Sequence, residues 1–166
     1  MMAAQVLSRM PLCPNASTFR RCAMKPILLV VDDNRGDRDL VRQSLTEFGT
    51  DVEILEAADG DVALELLETR VREKQRLPNV ILLDLKLVRL SGHEVLIRLK
   101  ADTALSHIPV VVFTSSQDEA DISRSYQLGA VSVLTKPLTF CEADEMYRTF
   151  ALFWLSSGTF DSRGKS

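Results

Sequence analysis

The sequence predicts an α/β protein: a doubly wound (βα)5 domain built on a five-stranded parallel sheet. Three observations carry that prediction. Five short apolar runs recur along the chain, at Ile27–Val31, Val52–Ala57, Val80–Asp84, Val110–Phe113 and Val131–Thr135. Segments with apolar residues at helical spacing alternate with them. Most of the runs are continuous Val, Ile and Leu, as strands buried on both faces of a parallel sheet require.

Each element has a local reason. Ile27–Val31 is a short buried strand. Gly36–Phe48 carries Leu40, Val41, Leu45 and Phe48 at helical spacing and stops at Gly49. Val52–Ala57 reads as the second strand. Asp59-Gly60 then supplies a turn and a cap for a helix over Asp61–Gln75, with Val62, Leu66 and Val71 inward. Pro78 closes the next loop before the third strand, Val80–Asp84. Gly92–Lys100 is a helix with Val95, Leu96 and Leu99 inward. Pro109 leads into the fourth strand, which ends at Thr114. Asp118–Leu128 is a helix stopped by Gly129, and Val131–Thr135 is the fifth strand, followed by Lys136-Pro137. Thr139–Leu155 is the last helix.

The 166 residues suit one domain with a single sizeable core. A net charge of -3 argues against nucleic acid as a partner. No apolar stretch approaches the ~20 residues of a membrane span. Cys13, Cys22 and Cys141 are odd in number and widely spaced, as free thiols in a reducing cytoplasm would be. Residues 1–24 hold Arg9, Arg20 and Arg21 without one acid, and read as a loose basic tail or a start assigned too early. The folded domain is expected over 25–157, with 158–166 as a disordered tail. That leaves no output domain, so the expected output is a protein–protein contact.

In a doubly wound sheet the working crevice lies at the carboxyl ends of the strands, where strand order reverses. Strand one ends in Asp32-Asp33, strand three in Asp84, strand four in Thr114 and strand five in Lys136. Two carboxylates about 4 Å apart repel by roughly 4 kcal/mol at an effective dielectric of 20. A bound cation or a shifted proton is needed to hold three of them together. Acids, a hydroxyl and a lysine suit phosphoryl transfer. A carboxylate can be the nucleophile, Mg2+ fits an all-oxygen site, and lysine and threonine can hold phosphoryl oxygens.

With these residues in this order, the chain resembles the receiver domain of two-component response regulators, a flavodoxin-like fold, over about Lys25–Ser157. The resemblance implies that Asp84 is the phosphoacceptor. It implies that Asp33 and Asp84 bind Mg2+ directly, Asp32 mostly through water, and that the Lys86 backbone carbonyl completes the protein ligands. Thr114 and Lys136 would bind the phosphoryl group, and the Lys136-Pro137 bond would be cis. Such a protein catalyses only its own phosphorylation and dephosphorylation. It would work in the cytoplasm with a sensor histidine kinase.

Three departures stand out. Val88 replaces a proline usual four residues after the phosphoacceptor. Val133 replaces an aromatic residue whose ring commonly swings when the threonine moves, which shifts the expected readout to Thr114 and the last helix. The segment Asp61–Leu77 is long, with Arg70–Lys74 extending into solvent. That length, and the closing Phe153-Trp154-Leu155, resemble single-domain regulators paired with cyanobacterial and bacterial phytochromes, which tend to form homodimers through the last helix. Six of the ten aromatic residues lie at or after Phe140, so Tyr147, Phe150, Phe153 and Trp154 are assigned to an interface.

Two other readings compete. A haloacid-dehalogenase-type phosphatase would also use an Asp nucleophile and Mg2+, but wants a second Asp where Lys86 stands. A phosphorylation-independent receiver-like binding module would not need Asp32, Asp33, Asp84, Thr114 and Lys136 intact. Arg35, Arg38 and Arg42 on the first helix are equally suited to kinase recognition and to simple solvation.

Overall fold

A computed structural model describes residues 24–156. The basic tail, Cys13, Cys22, Phe160 and the C-terminal tail lie outside the described residues.

Five parallel strands form one sheet: β1 (Ile27–Val31), β2 (Glu53–Ala57), β3 (Val80–Leu83), β4 (Val110–Thr114) and β5 (Ser132–Thr135). Their order is β2-β1-β3-β4-β5. The order reverses between β1 and β3, which places the crevice at their carboxyl ends. The register sets Val31 beside Leu83 and Leu83 beside Val112, so the residues that follow each strand emerge along one edge.

The side-chain alternation of these strands divides the core. Leu29, Val31, Ile81, Leu83, Val110 and Val112 face helices α2 (Gly60–Arg72) and α3 (Gly92–Ala101). Leu28, Val30, Val80, Leu82, Val111 and Phe113 face α1 (Arg35–Glu47) and α5 (Phe140–Phe150). Strands covered on both sides need apolar residues at every position, which is why these runs do not alternate. Each such Leu or Ile contributes about 2 kcal/mol by burial. Helix α4 (Glu119–Gln127) is different: its one buried residue is Ser125.

The helices start where side chains cap them. Asn34, Asp59, Ser91, Asp118 and Thr139 each accept a hydrogen bond from a first-turn N–H. Ser91 and Thr139 form full capping boxes with Glu94 and Glu142. Helix α5 runs on into a π-helical turn, Ala151–Leu155, so the predicted last helix is one continuous element with a widened final turn.

Several expectations need correction. Helix α2 ends at Arg72 and buries Ala63, Leu64 and Leu67, leaving Val62 and Val71 exposed. The apolar residues of that segment occupy two overlapping stripes, and the stripe nearer β2 and α3 is the one covered. Phe48 is also exposed. Arg70 does not extend into solvent: its guanidinium donates to the Arg76 carbonyl and to Glu53. The Lys136-Pro137 bond is trans, the geometry that X-Pro bonds favour by about 0.5–1 kcal/mol.

Gly92 shows how tightly the crevice is built. A Cβ there would lie 2.2 Å from the Asp84 carbonyl oxygen and 2.7 Å from Leu85 Cα. Both are backbone atoms, which cannot turn aside. Gly92→Ala is therefore expected to destabilise the fold by about 3 kcal/mol. The check is thermal unfolding by circular dichroism, where a fall in Tm of roughly 10 °C is expected.

Candidate phosphoryl and metal site

Three strand ends and the first turn of α1 meet on one lysine. Lys136 follows β5, and its N–H donates to the Thr114 carbonyl at 2.9 Å, extending the ladder one residue. Its Nζ lies 2.7 Å from Asp32 Oδ2, 2.8 Å from Asp37 Oδ2 and 2.8 Å from Asp84 Oδ2. The Phe113 ring lies beneath it, with the centroid 5.7 Å from Nζ. Tyr147 of α5 meets that ring edge-on at 5.7 Å.

The acids are held from behind. Asp32 Oδ1 accepts the Asn34 N–H at 2.8 Å, and the Asp32 carbonyl accepts Arg38 Nη1 at 2.6 Å. Asp84 Oδ1 accepts the Lys86 N–H at 3.2 Å. Asp32 and Asp84 are buried, whereas Asp33 is exposed at the rim. Carboxylate oxygens of Asp32, Asp33 and Asp84 lie within 4.8 Å of one another, as a metal site requires. The donors are all oxygen, the chemistry of Mg2+ or Mn2+.

Burial raises the Asp32 pKa, and the hydrogen bond from Lys136 works against that rise. Lys136 shows the reverse balance. Burial disfavours its charge, but hydrogen bonds to Asp32, Asp37 and Asp84 outweigh it and raise its pKa above the ordinary lysine value. Burial also raises the pKa of the Tyr147 phenol, helped by the charge of Asp37.

Thr114 is fully buried, and its Oγ1 accepts the Ser116 N–H at 3.1 Å. Ser116 Oγ donates to Asp121 Oδ2 at 2.8 Å. Ser125 Oγ donates to the Asp121 carbonyl at 2.8 Å and lies 3.0 Å from His93 Nε2 on α3. On its other side α4 is tied to β5, where Tyr126 Oη accepts the Val133 N–H at 3.2 Å. Helix α4 is thus moored by polar contacts that begin at Thr114.

Asp32, Asp33, Asp84, Thr114 and Lys136 all reach the one edge that the sequence indicates. Asp37 is the residue that sequence reasoning missed. It reads as an ordinary first-turn acid favoured by the helix dipole. The usable signal was its place: a helix that starts two residues after Asp33 lays its first turn over the same strand ends. Arg38 and Arg42 also gain a definite role, both pairing with Glu56, while Arg35 stays exposed. Of the four residues assigned to an interface, Tyr147 is only 2% exposed and Phe150 is buried. They face the sheet, because α5 needs them to cover Phe113 and Val111. Phe153 is 60% exposed. It meets Trp154 edge-on at 4.9 Å.

An acidic, oxygen-only cluster around a partly buried lysine, at the switch point of a parallel five-stranded sheet, is the arrangement of a receiver-type site. The chain belongs to the response regulator receiver domain family, whose profile matches residues 28–148. It is 36% identical over 134 residues to the response regulator Rcp1 of Synechocystis, covering 80% of this chain and 91% of that protein. The phosphorylated cyanobacterial phytochrome response regulator RcpA superposes with a TM-score of 0.76 at 32% identity, covering 82% of this chain and 99% of that one. The Mn2+-bound form of Rcp1 superposes at 0.72 with 34% identity, covering 81% and 98%. Family membership makes this a signalling protein and sets aside the phosphatase reading. Among the described residues no helix is long and apolar enough to cross a membrane.

Lys136→Met leaves Asp32 and Asp84 buried without their cation. The expected cost is about 3 kcal/mol at pH 8 without added metal. Asp32 then loses the hydrogen bond that opposes burial, so its folded pKa rises further above the unfolded value. The folded state binds the extra proton, so acidification through that folded pKa returns stability. Urea unfolding at pH 8 and pH 5 checks this: the gap between variant and native protein is expected to narrow at pH 5.

Proposed function

We propose that the chain accepts a phosphoryl group on Asp84 from a sensor histidine kinase, with Mg2+ held by Asp32, Asp33, Asp84 and the Lys86 backbone carbonyl. The observation that carries this reading is the position of Lys136 Nζ, 2.8 Å from Asp84 Oδ2. Asp84 is one of the two buried acids of the cluster, and it stands at the end of the central strand β3. An Asp84 carboxylate oxygen forms the new O–P bond. The donor's N–P bond breaks, and the donor imidazole leaves with the electron pair. The bound Mg2+ would supply positive charge against the transferring oxygens. Lys136 binds one phosphoryl oxygen as a point charge and Thr114 donates its hydroxyl to another. The autophosphorylation this implies would also use acetyl phosphate as donor, its O–P bond breaking with acetate as the leaving group.

The similarity to phytochrome response regulators supports a bacterial or cyanobacterial phytochrome as the kinase, and a cytoplasmic setting for the pair. The output is a protein–protein contact, with a homodimer through the last helix as its form. A groove of about 730 Å3 supports this, running between edge strand β5 and α5 and lined by Leu134, Met146, Phe150, Phe153 and Trp154 among others. Phe153 in that lining is an exposed apolar side chain.

Asp84→Asn is expected to abolish labelling by acetyl phosphate with Mg2+. Labelling of that variant at the native rate would contradict the assignment. For the dimer, Phe153→Glu is expected to weaken self-association at least tenfold with little change in Tm. Sedimentation of native and variant protein checks it, and a native protein that stays monomeric with and without acetyl phosphate would sink the dimer.

A further inference from the structure

The Lys136 ammonium carries three N–H bonds, and each has a carboxylate acceptor, from Asp32, Asp37 and Asp84. The three acceptors are not equivalent. Asp32 and Asp84 belong to the group of oxygens that can hold a metal ion, and Asp37 lies outside it. A Mg2+ ion draws its ligand oxygens to about 2.1 Å and so competes with Lys136 for those two carboxylates. Phosphorylation then turns the Asp84 carboxylate into an acyl phosphate. Both events loosen the lysine from the residues it has to serve. Asp37 is left as the acceptor that neither event removes. It stands on a separate element, the first turn of α1, with its side chain 32% exposed. The Phe113 ring, 5.7 Å below, supports the ammonium without directing it.

We propose that Asp37 is a positioning residue for phosphoryl transfer: its carboxylate keeps the Lys136 ammonium aimed at the Asp84 oxygens while the metal and the phosphoryl group take up Asp32 and Asp84. The role rests on the assignment of Asp84 as phosphoacceptor. Asp37 touches neither the metal nor the phosphoryl group. It holds Lys136 from the side of α1, so that one N–H stays on Asp37 and another is free to turn to a phosphoryl oxygen. A lysine tethered in this way keeps its orientation through the cycle, and orientation is costly to lose, since a displacement of about 1 Å can slow a reaction by roughly 100-fold. An acid that merely complemented the helix dipole would affect stability and leave the rate alone.

The test compares native protein, Asp37→Ala and Asp37→Glu at saturating Mg2+ over a range of acetyl phosphate concentrations, with Asp84→Asn as the blank. Asp37→Ala is expected to lower the maximal labelling rate roughly tenfold. The Mg2+ concentration giving half the maximal thermal shift is expected to stay within a factor of two of native. Asp37→Glu, which restores a carboxylate, is expected to recover most of the rate. Asp37→Asn keeps the shape and one acceptor oxygen and serves if the alanine variant does not fold; its rate is expected between those of alanine and native. A maximal rate for alanine or asparagine equal to or above native overturns the proposal, as does a glutamate variant as slow as alanine. A native protein that takes no label, or a labelled Asp84→Asn, overturns the phosphoacceptor assignment first and the role of Asp37 with it.

Discussion

The structure depends on one partly buried ammonium held by three carboxylates. Charges of this kind are costly to take out of water, and breaking such a cluster from one side typically costs 3–5 kcal/mol. The cost is tolerable only because the geometry is satisfied at every N–H of Lys136. That geometry comes from the sheet. The register of β1, β3, β4 and β5 fixes where Asp32, Asp84, Thr114 and Lys136 emerge, and the cap at Asn34 turns α1 back over them. Gly92 lets the next helix approach the Asp84 backbone closely enough to close the floor.

The same cluster is where metal binding and phosphorylation would act on the rest of the molecule. Lys136 holds two of the carboxylates that a divalent cation would take, so the two positive charges would compete for them. From Thr114 the polar chain runs through Ser116 to Asp121, Ser125 and His93. Helix α4 has almost no apolar anchorage, so these contacts and the Tyr126 hydroxyl hold it in place. An element moored by a few polar contacts moves at low cost. A shift of the Thr114 hydroxyl would therefore be felt first by α4, through Ser116 and Asp121. The last helix is joined to the site by a separate path, Tyr147 against Phe113 beneath Lys136.

Nearly all of the fold was legible in the sequence, because strands buried on both faces leave unbroken apolar runs such as Ile27–Val31 and Val80–Leu83. The five site residues were legible because each ends a strand. What escaped depends on packing direction rather than on pattern. Asp37 is read as a helix-start acid unless the first turn of α1 is placed over the sheet edge. The covered face of α2 is ambiguous because Val62 and Leu66 compete with Ala63, Leu64 and Leu67 at similar spacing. Tyr147 looked like an interface aromatic, yet its ring is needed against Phe113.

Phosphorylation is expected on Asp84, the acid at the end of β3 that Lys136 holds at 2.8 Å. Borohydride reduction converts an aspartyl phosphate to homoserine, which peptide mass spectrometry locates directly. After treatment with acetyl phosphate and Mg2+, homoserine is expected at position 84 alone. Homoserine at Asp32, Asp33 or Asp37, or a phosphate that survives reduction on Ser, Thr or His, would contradict it.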